Sequence, residues 1–144
     1  MANELTLVRQ TGLPISLIVS DTAALEKGSI VKLVDPFEVS GANIKAHDPV
    51  GGIVAVEKIA NDGSTQVAVF RNQGNIWKAT ASGTITVGDS IGLQISAVAA
   101  TNENFVKSLN GIDASGSRVL GYSLETATTG QTFLFEQNIT DGGR

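Results

Sequence analysis

The sequence predicts an all-β fold: a compact β-barrel or β-sandwich built from two similar halves, with an N-terminal extended arm and little helix. Three observations predict it. Short runs rich in Val, Ile, Thr and Phe recur along the 144 residues at strand length. Sixteen Gly against three Pro supply positive-φ turn positions between those runs, as a barrel or sandwich requires. The phrase "ALEKGSIVKL" at 24–33 returns as "TITVGDSIGL" at 84–93, with Gly, a small polar or acidic residue and a β-branched run in the same order.

In chain order the expected strands are "LTLVR", "ISLIVS", "SIVKLV", "GIVAVEKIA", "TQVAVFR", "NIWKA", "SRVLGYSL" and "TFLFEQN". Turns of the type "NDG", "NQGN", "SGT", "SGS" and "TTGQ" separate them. The one helical candidate is "DTAALEKG" at 21–28, where Asp21 can cap a single turn that ends at Gly28.

The doubling extends beyond one phrase. Gly52 and Gly121 each precede an apolar run, Glu57 and Glu125 follow, Gly63 and Gly130 centre a turn, and a strand then reaches Phe70 and Phe135. Ordered agreement of turn, strand, turn and strand points to two copies of one β unit, here 24–73 and 84–138. They lie inside one β domain spanning 13–144, preceded by an arm at 1–12. The 96–117 insert makes the second half longer and is expected to form a loop.

Composition excludes several functions. A chain without Cys has no thiolate nucleophile, disulfide or Cys-ligated zinc. Ten basic and 14 acidic residues, spread without runs to a net charge of −4, provide no basic face for nucleic acid. No apolar run reaches the roughly 20 residues of a membrane span, and "MANELTLVRQ" lacks the order of a signal peptide. A soluble protein beginning near Met1 is the expectation, with no nucleic-acid or membrane partner.

Chemical motifs are sparse. His47, the only histidine, stands beside the Asp48-Pro49 turn and has no second His or Cys to complete a metal site. The pairs Glu57 with Asp62 and Glu125 with Glu136 fall at strand ends and turns, where surface charge is the plain reading. "NGIDASGSRVLG" at 110–121 resembles a Gly-x-Ile-Asp phrase of the trimeric β-barrel dUTPases, but Gly116 or Ser117 stands where that family has Tyr. Asp113 is therefore read as a turn residue, and the Asn138 sequon as unoccupied. No catalytic residue, metal ligand or cofactor is expected.

The order "ITVGDSIGL", insert, "RVLGYSLETATTGQTFLFEQ" resembles the capsid decoration, or cement, proteins of tailed bacteriophages, whose pattern "vGD-x-v" is followed by "lG-[Y/I]-[A/S]-l-e-a" and a closing strand. The match is best over 79–138 and weaker over 12–73. The resemblance implies a homotrimeric β-barrel that binds the major capsid protein on the outer surface of the virion, is made in the bacterial host cytoplasm, and stabilises the expanded shell without catalysis. A carbohydrate-binding β-sandwich or another virion appendage is the alternative. It would call for several coplanar exposed aromatics.

Two features are the candidate contacts. Trp77 is read either as a core anchor or as an interface anchor. The arm residues Glu4, Leu5, Thr6, Leu7, Val8 and Arg9 form a strand outside the doubled unit, which either adds to its own sheet or, as expected here, pairs with a neighbouring subunit or a capsid loop by strand addition. With seven aromatics and few large side chains the core of one copy is expected to be thin, so that apolar faces bury against other copies.

Overall fold

A computed structural model of the chain describes residues 3–42, 44, 48–93, 104–109 and 119–140. Its strands are β1 (Thr6–Arg9), β2 (Ile15–Ile18), β3 (Ile30–Val34), β4 (Glu38–Ser40), β5 (Val50–Val54), β6 (Gln66–Phe70), β7 (Ile76–Ala81), β8 (Ser90–Leu93), β9 (Phe105–Ser108), β10 (Val119–Ser123) and β11 (Thr132–Thr140). Among the described residues there is no helix. The turn expected at 21–28 gives way to a bridge of Leu25 to Lys58, which pulls that segment into extended pairing.

Strands β2-β4-β3-β5-β6 close into a barrel. The second half repeats the circuit: β7 pairs β9 in parallel, β9 pairs β8, β8 pairs β10, β10 pairs β11 and β11 returns to β7. The parallel contact falls in the same place in each, Ile18 opposite Glu38 and Thr80 opposite Phe105. The equivalence reaches single hydrogen bonds. Gly28 N–H donates to Val54 O and Gly88 N–H to Ser123 O, both at 2.8 Å. The Leu25–Lys58 bridge has its counterpart in Ile85–Ala127. Gly28 (φ 88°) and Gly88 (φ 90°) take the left-handed turn that launches β3 and β8, a backbone state that favours glycine. That is the physical basis of the repeated phrase.

Three strands are not among the runs expected from the sequence. Strands β4 and β9 are too short to show a period, and β8 was legible only as part of the repeat. Strand β9 lies within the 96–117 insert and completes the second circuit, so that insert is not wholly loop.

The barrels are fused. Leu5, Ile30, Ile44, Ile53 and Phe70 from the N-terminal half share one buried cluster with Trp77, Ile91, Leu120, Phe133 and Phe135 from the C-terminal half. A second cluster around Leu17, Val31, Val54 and Val69 fills the N-terminal barrel alone. Apolar faces that one thin barrel leaves uncovered are thus partly buried against the other barrel of the same chain.

A buried polar network seals this joint. Gln137 is fully buried; its Oε1 accepts from Trp77 Nε1 at 2.9 Å and Asn75 Nδ2 at 3.1 Å, and its Nε2 donates to Phe70 O at 2.8 Å. Asn75 Oδ1 in turn accepts the Thr11 N–H at 2.9 Å, and the Phe70 and Trp77 rings meet edge to face with centroids 5.6 Å apart. Replacing the amide removes three buried hydrogen bonds; Asn75 Nδ2 keeps Asn72 Oδ1 at 3.0 Å, whereas the Trp77 indole N–H is left unpaired, and each buried group so stranded costs about 1–3 kcal/mol. Gln137→Leu is expected to lower unfolding stability by about 3 kcal/mol or more in denaturant titration, whereas a loss below about 1 kcal/mol would mean the joint does not depend on this network.

Candidate interaction surface

The arm residues are drawn into the chain itself. Strand β1 lies antiparallel on β7, with Thr6 opposite Lys78, Leu7 opposite Trp77 and Arg9 opposite Ile76. It shares that edge of β7 with β9, which pairs further along at Thr80 and Ala81. Leu5 is buried in the shared cluster and its N–H donates to Gly28 O at 2.9 Å, so the arm is clamped by both barrels. The β7-facing edge of this segment is thus filled within the chain, and β1 ends the sheet order with its other edge outermost.

Trp77 packs inside the chain, the core place among its two expected ones. It is 1% exposed, its indole N–H is spent on Gln137, and it anchors the core. Alternation along β7 sends Trp77, Ala79 and Ala81 inward and leaves Lys78 on the outer wall.

Alternation along β1 turns Leu5 and Leu7 inward and Thr6 and Val8 outward, leaving Val8 52% exposed, and the β1–β7 register shifts between Leu7 and Arg9. Val8, Lys78, Glu125, Thr132, Phe133 and Leu134 line a groove of about 340 Å³ on the outer wall of the C-terminal barrel. Glu125 Oε1 accepts the Leu134 N–H at 3.2 Å. Tyr122 and Leu124 are further exposed side chains on this half. Arg9 and Thr6 are exposed and Leu7 is half-buried.

Of the candidate acid–base groups, Asp62 and Glu125 are engaged in structure. Lys58 is 3% exposed, and its ammonium donates to Asp21 O at 3.1 Å, Ile59 O at 2.7 Å and Asp62 Oδ1 at 2.8 Å, which uses all three of its hydrogens. Asp62 also accepts the Ser64 N–H. The Lys58 hydrogen bond, reinforced by that N–H, holds the Asp62 carboxyl below the ordinary aspartate range. Glu26 moves the other way: the hydrogen bond its protonated carboxyl donates to the Glu4 carboxylate, and then repulsion between the two carboxylates, push it above the ordinary glutamate range. His47 and Asp113 lie outside the described residues. The sequence reading missed Asn75, Gln137, Phe37, Lys78 and Leu134; of these, only Phe37 carries a sequence signal, the Asp-Pro-Phe-Glu turn phrase.

These two shifts predict opposite pH responses. Glu26, raised in the folded state, contributes stability fully present below the ordinary glutamate pKa and lost as pH rises through its folded value. Asp62, lowered, contributes stability present above the ordinary aspartate pKa and lost as pH falls through its folded value. In thermal melts Glu26→Gln is expected to exceed the wild type at pH 7 and match it near pH 4, roughly where glutamate titrates. Asp62→Asn should fall short at pH 7 and converge with the wild type in acid. Gaps independent of pH would show that neither carboxyl titrates as described. Deleting 1–12 removes Leu5 and the β1–β7 pairing, so the truncated chain should melt lower than the full chain; an unchanged Tm would contradict the clamp.

No family model matches the chain, and no curated protein matches it. Among solved structures the chain is similar to the head fiber gp8.5 N base in bacteriophage phi29, at 18% sequence identity and a TM-score of 0.48, covering 88% of this chain and 93% of that one.

Proposed function

We propose that the chain is a virion structural protein that binds the outer surface of a tailed-phage capsid as a homotrimer and stabilises the expanded shell. The phrases at 84–93 and 118–137, which resemble capsid decoration proteins, motivate this reading. The observation that carries it is how those phrases are used. They build β8, β10 and β11, whose pairing carries the second circuit, Gln137 on β11 seals the joint between the barrels, and the outward face presents a surface with a mixed polar and apolar groove.

The partner is the major capsid protein, and the function is binding with no reaction. A trimer touching several capsid subunits adds contacts that must all break before those subunits part, so modest single affinities suffice. Preference for the expanded lattice shifts the shell toward expansion. Aromatic placement disfavours the carbohydrate-binding alternative: Trp77, Phe70, Phe133 and Phe135 are buried, and the exposed Phe37 and Tyr122 stand on different barrels.

Cryo-imaging of phage particles made with and without the gene tests the proposal. Threefold density on the outer shell in the first preparation and its loss in the second is the expected result, with earlier rupture of the undecorated shells on heating. Particles that lack the protein, or carry it only inside, would refute it.

A further inference from the structure

The two barrels differ by one covering strand. The Ala55 N–H donates to Ala68 O and the Leu124 N–H to Leu134 O, both at 2.9 Å, which makes Ala68 and Leu134 equivalent. Ser16 lies opposite Ala68 and Lys78 opposite Leu134, so Ile15 and Ser16 of β2 are the counterparts of Trp77 and Lys78 of β7. On β7 those positions are covered by β1, and Trp77 is buried. On β2 the parallel strand β4 pairs only at Ile18, and among the described residues no strand covers Ile15 to Leu17 on the edge away from β6. Ile15 is accordingly 45% exposed.

The uncovered edge is fit for pairing. The Val19 N–H donates to Thr65 O beside β6 and the Ile18 N–H to Phe37 O on the other side, so alternation turns the Ser16 N–H and C=O toward the uncovered edge. Leu13, 79% exposed, Ile18, 41% exposed, and Phe37, 61% exposed, add apolar surface next to it. Edges left to solvent are ordinarily blunted by charge, yet apart from Pro14 at its start nothing in "LPISLI" at 13–18 does so.

The place of β1 on β7 shows what kind of element fits: a short antiparallel strand with an apolar residue, Leu7, opposite Trp77. Among the described strands β1 alone lies outside the two circuits. It is already spent on β7, and its register shift between Leu7 and Arg9 breaks the regular ladder that its outer edge would offer to another copy. The occupant of the β2 edge therefore belongs to a different protein. We infer that β2 accepts an extended segment of the major capsid protein by antiparallel strand addition, with an apolar residue of that segment over Ile15. The inference rests on the capsid binding proposed above and names its contact.

Titrating the purified full chain onto expanded shells made without it tests the contact. Ile15→Lys sets a charge on the apolar side of the new ladder and Ser16→Pro removes the N–H that faces it; each should weaken binding to the shells about tenfold or more. Both should melt near the wild type, because these positions are uncovered. A benzophenone cross-linker placed at Leu13 should, on irradiation of decorated shells, join to the major capsid protein, and this measurement decides the matter if either variant fails to fold. Undiminished binding of the folded variants, a cross-link only to a second copy of this chain, or none on shells that carry the protein would each overturn the inference. Shells that do not bind the wild type refute the proposed function, whereas shells that bind the wild type and both variants alike refute only this contact.

Discussion

The amide of Gln137 is the point on which the two barrels depend. It lies on the last strand, yet it receives Trp77 and Asn75 from the start of the second barrel and donates to the carbonyl that ends the first. A buried amide with unmet partners is costly, so this arrangement tolerates only one relative placement of the halves. The edge-to-face contact of Phe70 with Trp77 and the mixed apolar cluster fill the space that placement leaves. Asn104 adds a second tie: its Oδ1 accepts the buried Ile30 N–H at 2.9 Å, so the second barrel satisfies a donor at the start of β3.

Within this common frame the halves diverge where the frame permits. At equivalent bridge positions the first half has Lys58, whose ammonium ties down two turns, and the second has Ala127. After the launching glycine the first half has Ser29 and the second Asp89, whose carboxylate accepts the Thr86 N–H and the Ser108 hydroxyl. The second barrel therefore secures the launch of β8 with a charged acceptor. The first buries Ser29 and leaves its hydroxyl without a partner among the described residues.

The sequence conveyed the parts governed by backbone chemistry. Gly28 and Gly88 recur because a left-handed turn recurs, and the β-branched runs after them are strands because each half is walled the same way. The order of pairing was not legible. Whether Leu5 to Arg9 would pair outward or fold back onto β7 depends on contacts some 70 residues away, and local pattern carries no record of them. Trp77 could be read as core or interface because alternation gives its face and not what covers that face. For the interaction surface, Val8 was named with its strand and its outward side follows from alternation, but the Lys78 and Leu134 that line a groove with it come from strands far along the chain.

The position of β1 also bears on how the chain comes off the ribosome. The arm is synthesised first, but its partner at Ile76 to Lys78 emerges only after the whole N-terminal barrel. Until then Leu5 lacks most of its apolar cover and the strand has an empty ladder, the kind of edge on which nascent chains join wrongly. Closing so distant a pair also slows the final step. The fusion that gives the finished protein one shared core therefore makes its first residues among the last to be secured.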